Sequence, residues 1–147
     1  MQIINHQLLA EDGVTVISEL QKGERTDKNV QAWFDQTDEN ELFLSVLVTG
    51  EIRLGIERLR RKDLQQALRL EQRLLTLQAK MAGRILPVTD AITNRWGQIN
   101  AGDPMPVIDS LLAATALEHD LILVTRNIRD VERCGVRLLN PFLAPNS

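Results

Sequence analysis

At 147 residues the chain has the size of one domain, and 44% apolar with 25% charged residues are ordinary globular values. A formal net charge of −3 argues against a general nucleic-acid coat, though not against a local basic patch, and 3% aromatic residues with no tyrosine argue against binding by base stacking. The single cysteine, Cys134, cannot form an internal disulfide, which fits a reducing, cytoplasmic setting, and no stretch reaches the roughly 18 apolar residues of a membrane span.

The N-terminal "MQIINHQLLAEDG" lacks a basic start followed by a long apolar run, so it does not read as a secretory signal. Within it "HQLLAED" is a poor buried strand, because Glu11 and Asp12 would be costly inside. "VTVISELQKG" (14–23) reads as an extended piece running into a short helix. "DKNVQAWFDQT" (27–37) has helical spacing at Val30, Trp33 and Phe34, with Asp27 as N-cap. "LFLSVLV" (42–48) is an apolar run typical of a buried parallel strand. A helix then follows from Thr49 with apolar residues at 52, 56 and 59.

Residues 63–82 carry Leu64, Leu68, Leu70, Leu74, Leu75 and Leu77, which predict an amphipathic helix with one wide apolar face. "RILPV" (84–88) is a short strand ended by proline. Residues 90–99 form a helix with Ile92, Trp96 and Ile99 on one side, and both tryptophans read as core. Gly and Pro make 99–106 a loop. A helix over 107–118, an apolar strand over 121–125 and a strand-like piece over 136–142 complete the chain. Strands alternating with helices predict an α/β fold with a parallel sheet.

Ligands of such sheets bind outside the carboxyl ends of the strands. Three segments deliver oxygen ligands there: Thr49-Gly50-Glu51, then Asp109, then Thr125, Asn127 and Asp130. Each has a structural explanation too. Glu51 and Asp109 suit the positive end of a helix, and Asn127 and Asp130 suit turns and caps. Taken jointly, an all-oxygen cluster without nearby Cys or His suits a hard cation, Mg²⁺ or Mn²⁺, over zinc. His6 and His119 are isolated, and no phosphate-cradling glycine loop or Ser/His or Cys/His nucleophile pattern is present. "IRLGIERLRRK" (52–62) places Arg53, Arg58, Arg60, Arg61 and Lys62 behind Glu51, while Arg126 and Arg129 flank the other side. A solvated helix end explains Arg58 to Lys62 by the helix dipole.

The stretches "VISELQKG", "NVQAWFD", "LFLSVLVTGEIRLGIERL", "RILPV", "RWGQI", "PVIDSLLAATALEHDLILVTRNIRDVE" and "GVRLLNPF" together resemble the PIN-domain family, in particular its VapC/FitB-type toxins of bacterial toxin–antitoxin pairs. The resemblance runs in order through nearly all of 14–143. It implies one three-layer α/β/α domain over 1–147 with a central parallel sheet and residues 1–13 as an atypical N-terminal segment. It further implies Mg²⁺- or Mn²⁺-dependent ribonuclease activity, a homodimer, and inhibition by a small antitoxin, with operator DNA bound only through the complex of the two. Carried over by position, the "GEI" glutamate is Glu51 and the "ID" aspartate is Asp109. The fourth acidic position falls in "TRNIRD", where Asn127 and Asp130 both stand as candidates, and Thr125 would orient the phosphate or a water. With an RNA substrate and an antitoxin implied, Arg53, Arg58 and Arg126 would contact RNA phosphates or an acidic segment of the antitoxin.

The first family motif departs from the pattern. Gly13 stands where the family has its first aspartate, followed by Val14 and Thr15, and Asp12 comes one residue early. In a strand that shift turns a side chain to the other face. Either a bulge returns Asp12 to the site, or the site has lost a ligand and the protein is a catalytically impaired subunit acting mainly through antitoxin and operator binding. A third reading, a small phosphatase or receiver-like domain, rests on the α/β pattern alone.

Overall fold

The computed structural model describes residues 6–10 and 27–143, apart from the side chain of Asp130. Asp12, Gly13, Val14, Thr15 and the expected 14–23 element lie outside the described residues. The strands are β1 (Gln7–Leu9), β2 (Leu42–Ser45), β3 (Ile85–Leu86), β4 (Ile122–Val124) and β5 (Leu138–Leu139), in the order β3-β2-β1-β4-β5. Every described pairing is parallel. The helices are α1 (Lys28–Asp35), α2 (Val46–Arg60), α3 (Leu64–Lys80), α4 (Asp90–Asn100), α5 (Val107–Glu118) and the single turn α6 (Ile128–Val131). The architecture is the expected three-layer α/β/α domain with a parallel sheet.

β1 is the middle strand, contrary to the expectation for "HQLLAED". It pairs Leu8 with Phe43 on one side and with Leu123 on the other, and Gln7, Leu8 and Leu9 are all buried. The strand itself ends at Leu9, and Glu11 and Asp12 lie outside the described residues. Its polar residue is satisfied: the Trp33 indole N–H donates to Gln7 Oε1 at 2.8 Å. The chain therefore needs only three apolar-compatible positions to thread the core here.

The second difference lies in 42–48, where the strand ends at Ser45 and Val46–Val48 are already helical. Ser45 is the reason. Its hydroxyl accepts the Leu47 N–H at 3.0 Å, an N-cap that outweighs the β preference of the valines. Asp27, Asp63 and Thr89 cap α1, α3 and α4 in the same manner.

The broad apolar face predicted for α3 is narrower than its leucines suggest. Ala67 and Leu74 are buried against α2 with Leu70 beside them, whereas Leu64, Leu68 and Leu75 are exposed. A single helical neighbour covers a single stripe.

The topology fixes where a ligand would sit. From β1 the chain winds outward through β2 to β3, then returns past β1 to β4 and continues to β5. Connections leaving β1 and β4 therefore diverge, and the crevice of the sheet opens at the carboxyl ends of those two strands. The Ala10 N–H donates to the Val124 carbonyl at 3.1 Å, which ties the two ends together.

Candidate functional site

At that crevice Ala10, Asp109, Leu112, Leu123, Thr125, Asn127 and Val131 line one small cavity. Its volume is about 10 Å³, room for a single water by the usual measure, so a large substrate would lie across its mouth. Leu112, Leu123 and Val131 make an apolar floor; a carboxylate, a hydroxyl and an amide make the polar rim.

Each rim group has a local cause. α5 begins at Val107 with Pro106 at the cap position and no side-chain cap, and Asp109 occupies its first turn, where the helix dipole favours an anion. The rest of α5 is packed: Ser110 and Leu112 to Ala116 are buried, and its alanines let the helix lie close to the sheet. Thr125 directly follows β4, is itself buried, and donates its N–H to the Leu139 carbonyl at 3.0 Å. Its hydroxyl accepts the Asn127 N–H at 3.0 Å, which turns the chain into α6 and leaves Asn127 exposed.

Of the residues singled out from sequence, Asp109, Thr125 and Asn127 thus share one cavity. Glu51 is half-buried in the second turn of α2, on the neighbouring strand-to-helix unit, and is not among the residues lining that cavity. Asp12 lies outside the described residues; Asp130 is on α6 with its side chain outside them. Among the described residues no group of three or more His, Cys, Asp or Glu is placed to hold a metal ion. The donors present are all oxygens, the type that Mg²⁺ and Mn²⁺ take. Sequence reasoning missed Ala10 as a wall, since nothing polar marks it.

The cations behave differently from one another. Arg53 donates to Glu57 at 3.2 Å and to Glu71 of α3 at 2.5 Å, and Arg60 reaches the same two glutamates at 3.0 and 2.8 Å. Those guanidiniums clip α2 to α3. Arg58, by contrast, is exposed at the end of α2, on a surface shared with Leu54, Arg61 and Lys62. Arg126 is exposed with its guanidinium 3.4 Å from the centre of the Phe142 ring, a cation–π contact.

Arg53 and then Arg60 hold the Glu71 carboxyl below its ordinary value of 4.5, and Arg60 and then Arg53 do the same for Glu57. A carboxylate depressed in the folded state adds stability above its unfolded value and loses it as pH falls through the folded one. The melting temperature therefore falls as pH drops below about 4.5, and Glu71→Gln should flatten part of that acid-side loss. Superimposable acid-side melting curves for the two proteins would show that the clip contributes nothing.

Cys134 is no nucleophile in waiting. Burial pushes its thiol up, only partly offset by Arg133, and its S–H donates to Met105 Sδ at 3.4 Å.

Residues 14–134 match the PIN domain family. The chain belongs to that family. It is 32% identical over 123 residues to Toxin FitB of Neisseria gonorrhoeae, spanning 79% of this chain and 86% of that protein. It is also 32% identical over 135 residues to VapC ribonuclease Y4jK of Sinorhizobium fredii, spanning 86% and 93%. The fold superposes on the crystal structure of FitAcB from Neisseria gonorrhoeae with a TM-score of 0.78 at 29% identity, covering 92% of this chain and 97% of that one. On the structure of FitAB bound to an IR36 DNA fragment the TM-score is 0.73 at 30% identity, covering 92% and 95%. In this PIN domain the cavity between β1 and β4 is where the sheet topology and the polar residues coincide.

Proposed function

We propose that this PIN domain is a metal-dependent endoribonuclease, the toxin of a toxin–antitoxin pair, hydrolysing RNA phosphodiester bonds. The observation that carries the reading is the convergence of Asp109, Thr125 and Asn127 on one cavity at the switch point of the sheet, in a chain whose relatives include a VapC ribonuclease. Asp109 and Glu51 would hold Mg²⁺ or Mn²⁺, with an oxygen from Asn127 or Asp130, and Asp12 as a further candidate. A divalent ion bound there would supply Lewis acidity for the attacking water and the phosphoryl group. Thr125 orients the scissile phosphate through its hydroxyl. Arg58 and Arg126 draw the RNA backbone toward the rim without reading its bases, while Arg53 serves chiefly to hold α2 and α3 together.

The partners follow from the same reading: a second copy of the chain, a small antitoxin protein, and operator DNA engaged only through the complex with that antitoxin. Cytoplasmic action fits it, and no described helix is long and apolar enough to cross a membrane.

A second reading has its own support. Gly13 occupies the first motif's aspartate position, and the described residues bring no trio of ligating side chains together. On that basis the chain would be an impaired subunit that acts through antitoxin binding. Calorimetry with Mn²⁺ separates the two. An active nuclease binds Mn²⁺ at millimolar concentration or tighter and cleaves RNA only when the ion is added, and Glu51→Ala weakens binding. Flat traces for both wild type and Glu51→Ala would end the nuclease reading and leave the binding one.

A further inference from the structure

The turn that carries Asp109 is held from outside its own helix. Ser110, fully buried and adjacent in sequence to Asp109, accepts the Trp96 indole N–H at 2.9 Å. The same hydroxyl faces the carbonyls of Pro106 and Val107, each at 2.9 Å, so its one proton stays within the first turn of α5. A buried serine bonding back to its own helix is common. A donor from another helix aimed at that oxygen is an additional and specific feature.

A second link from the same turn of α4 reinforces it. Asn100 donates its amide N–H to the Trp96 carbonyl at 3.0 Å and accepts the Met105 N–H at 2.8 Å. Met105 is buried, so the loop between α4 and α5 is pinned just before Pro106. α5 has no side-chain N-cap of its own. Its opening turn takes its position from α4 instead, through Trp96 on one side and Asn100 on the other. Trp96 is only half-buried, where sequence reasoning made it simply core, and its N–H has this one defined task.

We propose that Trp96 and Ser110 are positioning residues for Asp109: the indole-to-hydroxyl hydrogen bond fixes the first turn of α5 so that the carboxylate is presented to the cavity between β1 and β4. This rests on the reading of Asp109 as a metal ligand, and the test is arranged so that the two fail separately. Neither residue touches the cavity; each acts through the placement of the backbone between 107 and 110. Groups that orient a ligand from behind change metal affinity by roughly 10- to 100-fold.

Mn²⁺ is titrated calorimetrically into wild type, Trp96→Phe, Ser110→Ala, the double variant and Asp109→Asn. Trp96→Phe keeps an aromatic ring in place of the indole, and Ser110→Ala removes one oxygen, so between them they keep the test from depending on one fold-sensitive substitution. Each single variant should bind Mn²⁺ roughly tenfold more weakly. The double variant should bind no more weakly than either single one, because both remove the same hydrogen bond. Without metal, amide hydrogen exchange at 108–111 should quicken in both single variants. Wild-type affinity in both singles, additive losses in the double, or unchanged exchange at 108–111 would overturn the inference while a loss in Asp109→Asn upheld the metal reading. Undiminished Mn²⁺ binding by Asp109→Asn would instead overturn the reading on which it stands.

Discussion

On the proposed function, Asp109→Asn should abolish RNA cleavage and leave the protein folded. The change removes a charge and keeps the shape of a residue in the first turn of a long, packed helix. The part of its structural cost that comes from the helix dipole is about 0.3–1 kcal/mol, which for a chain of this size shifts the melting temperature by no more than about 4 °C. The catalytic cost is far larger, since Asp109 is the one carboxylate among the described residues that line the cavity. Groups standing behind a metal ligand already cost up to about 100-fold when removed, so loss of Asp109 as the proposed ligand should exceed that. Cleavage of a labelled RNA in Mn²⁺, read beside a thermal melt, checks both halves. A collapse in melting temperature with a matching fall in activity would mark Asp109 as a helix-start residue and nothing more.

Leu8→Ala should produce the largest loss of stability among single core truncations in this sheet. Leu8 sits in the middle of the middle strand, fully buried, with Phe43 and Leu123 as its partners on either side. The sheet is covered on both faces, so the surroundings have little room to collapse into the gap. Leucine-to-alanine changes at such sites cost about 2–5 kcal/mol, or a fall of about 5–20 °C in melting temperature for a domain of this length. Mn²⁺ binding measured well below the melting point should change much less than stability, because Ala10, whose N–H bonds the Val124 carbonyl, lies two residues further along the chain. A melting temperature within a few degrees of wild type would mean that β1 is not the centre of the core.

How far the sequence carried this picture depends on the length of its signals. The helix over 107–118 and the apolar strand before Thr125 were legible because they combine long apolar runs with clear ends. The oxygen-bearing rim of Asp109, Thr125 and Asn127 followed from them, since polar residues after parallel strands fall at one edge of the sheet. β1 was not legible. Three residues carry no period, and the neighbouring Glu11 and Asp12 made the stretch look too polar for a core. The division of the cationic run was equally hidden, because Glu71 lies in another helix and only the packing of α3 on α2 brings it to Arg53 and Arg60.

The order of helices and strands from α1 onward, the oxygen chemistry of the rim and the family were written in the chain itself, as patterns that local periodicity and motif spacing preserve. Which strand lies at the centre, which arginines are consumed by ion pairs, and that Trp96 reaches Ser110 were decided only by tertiary structure. Such facts depend on contacts between residues distant in sequence, and only the packing of helices and strands on one another determines those.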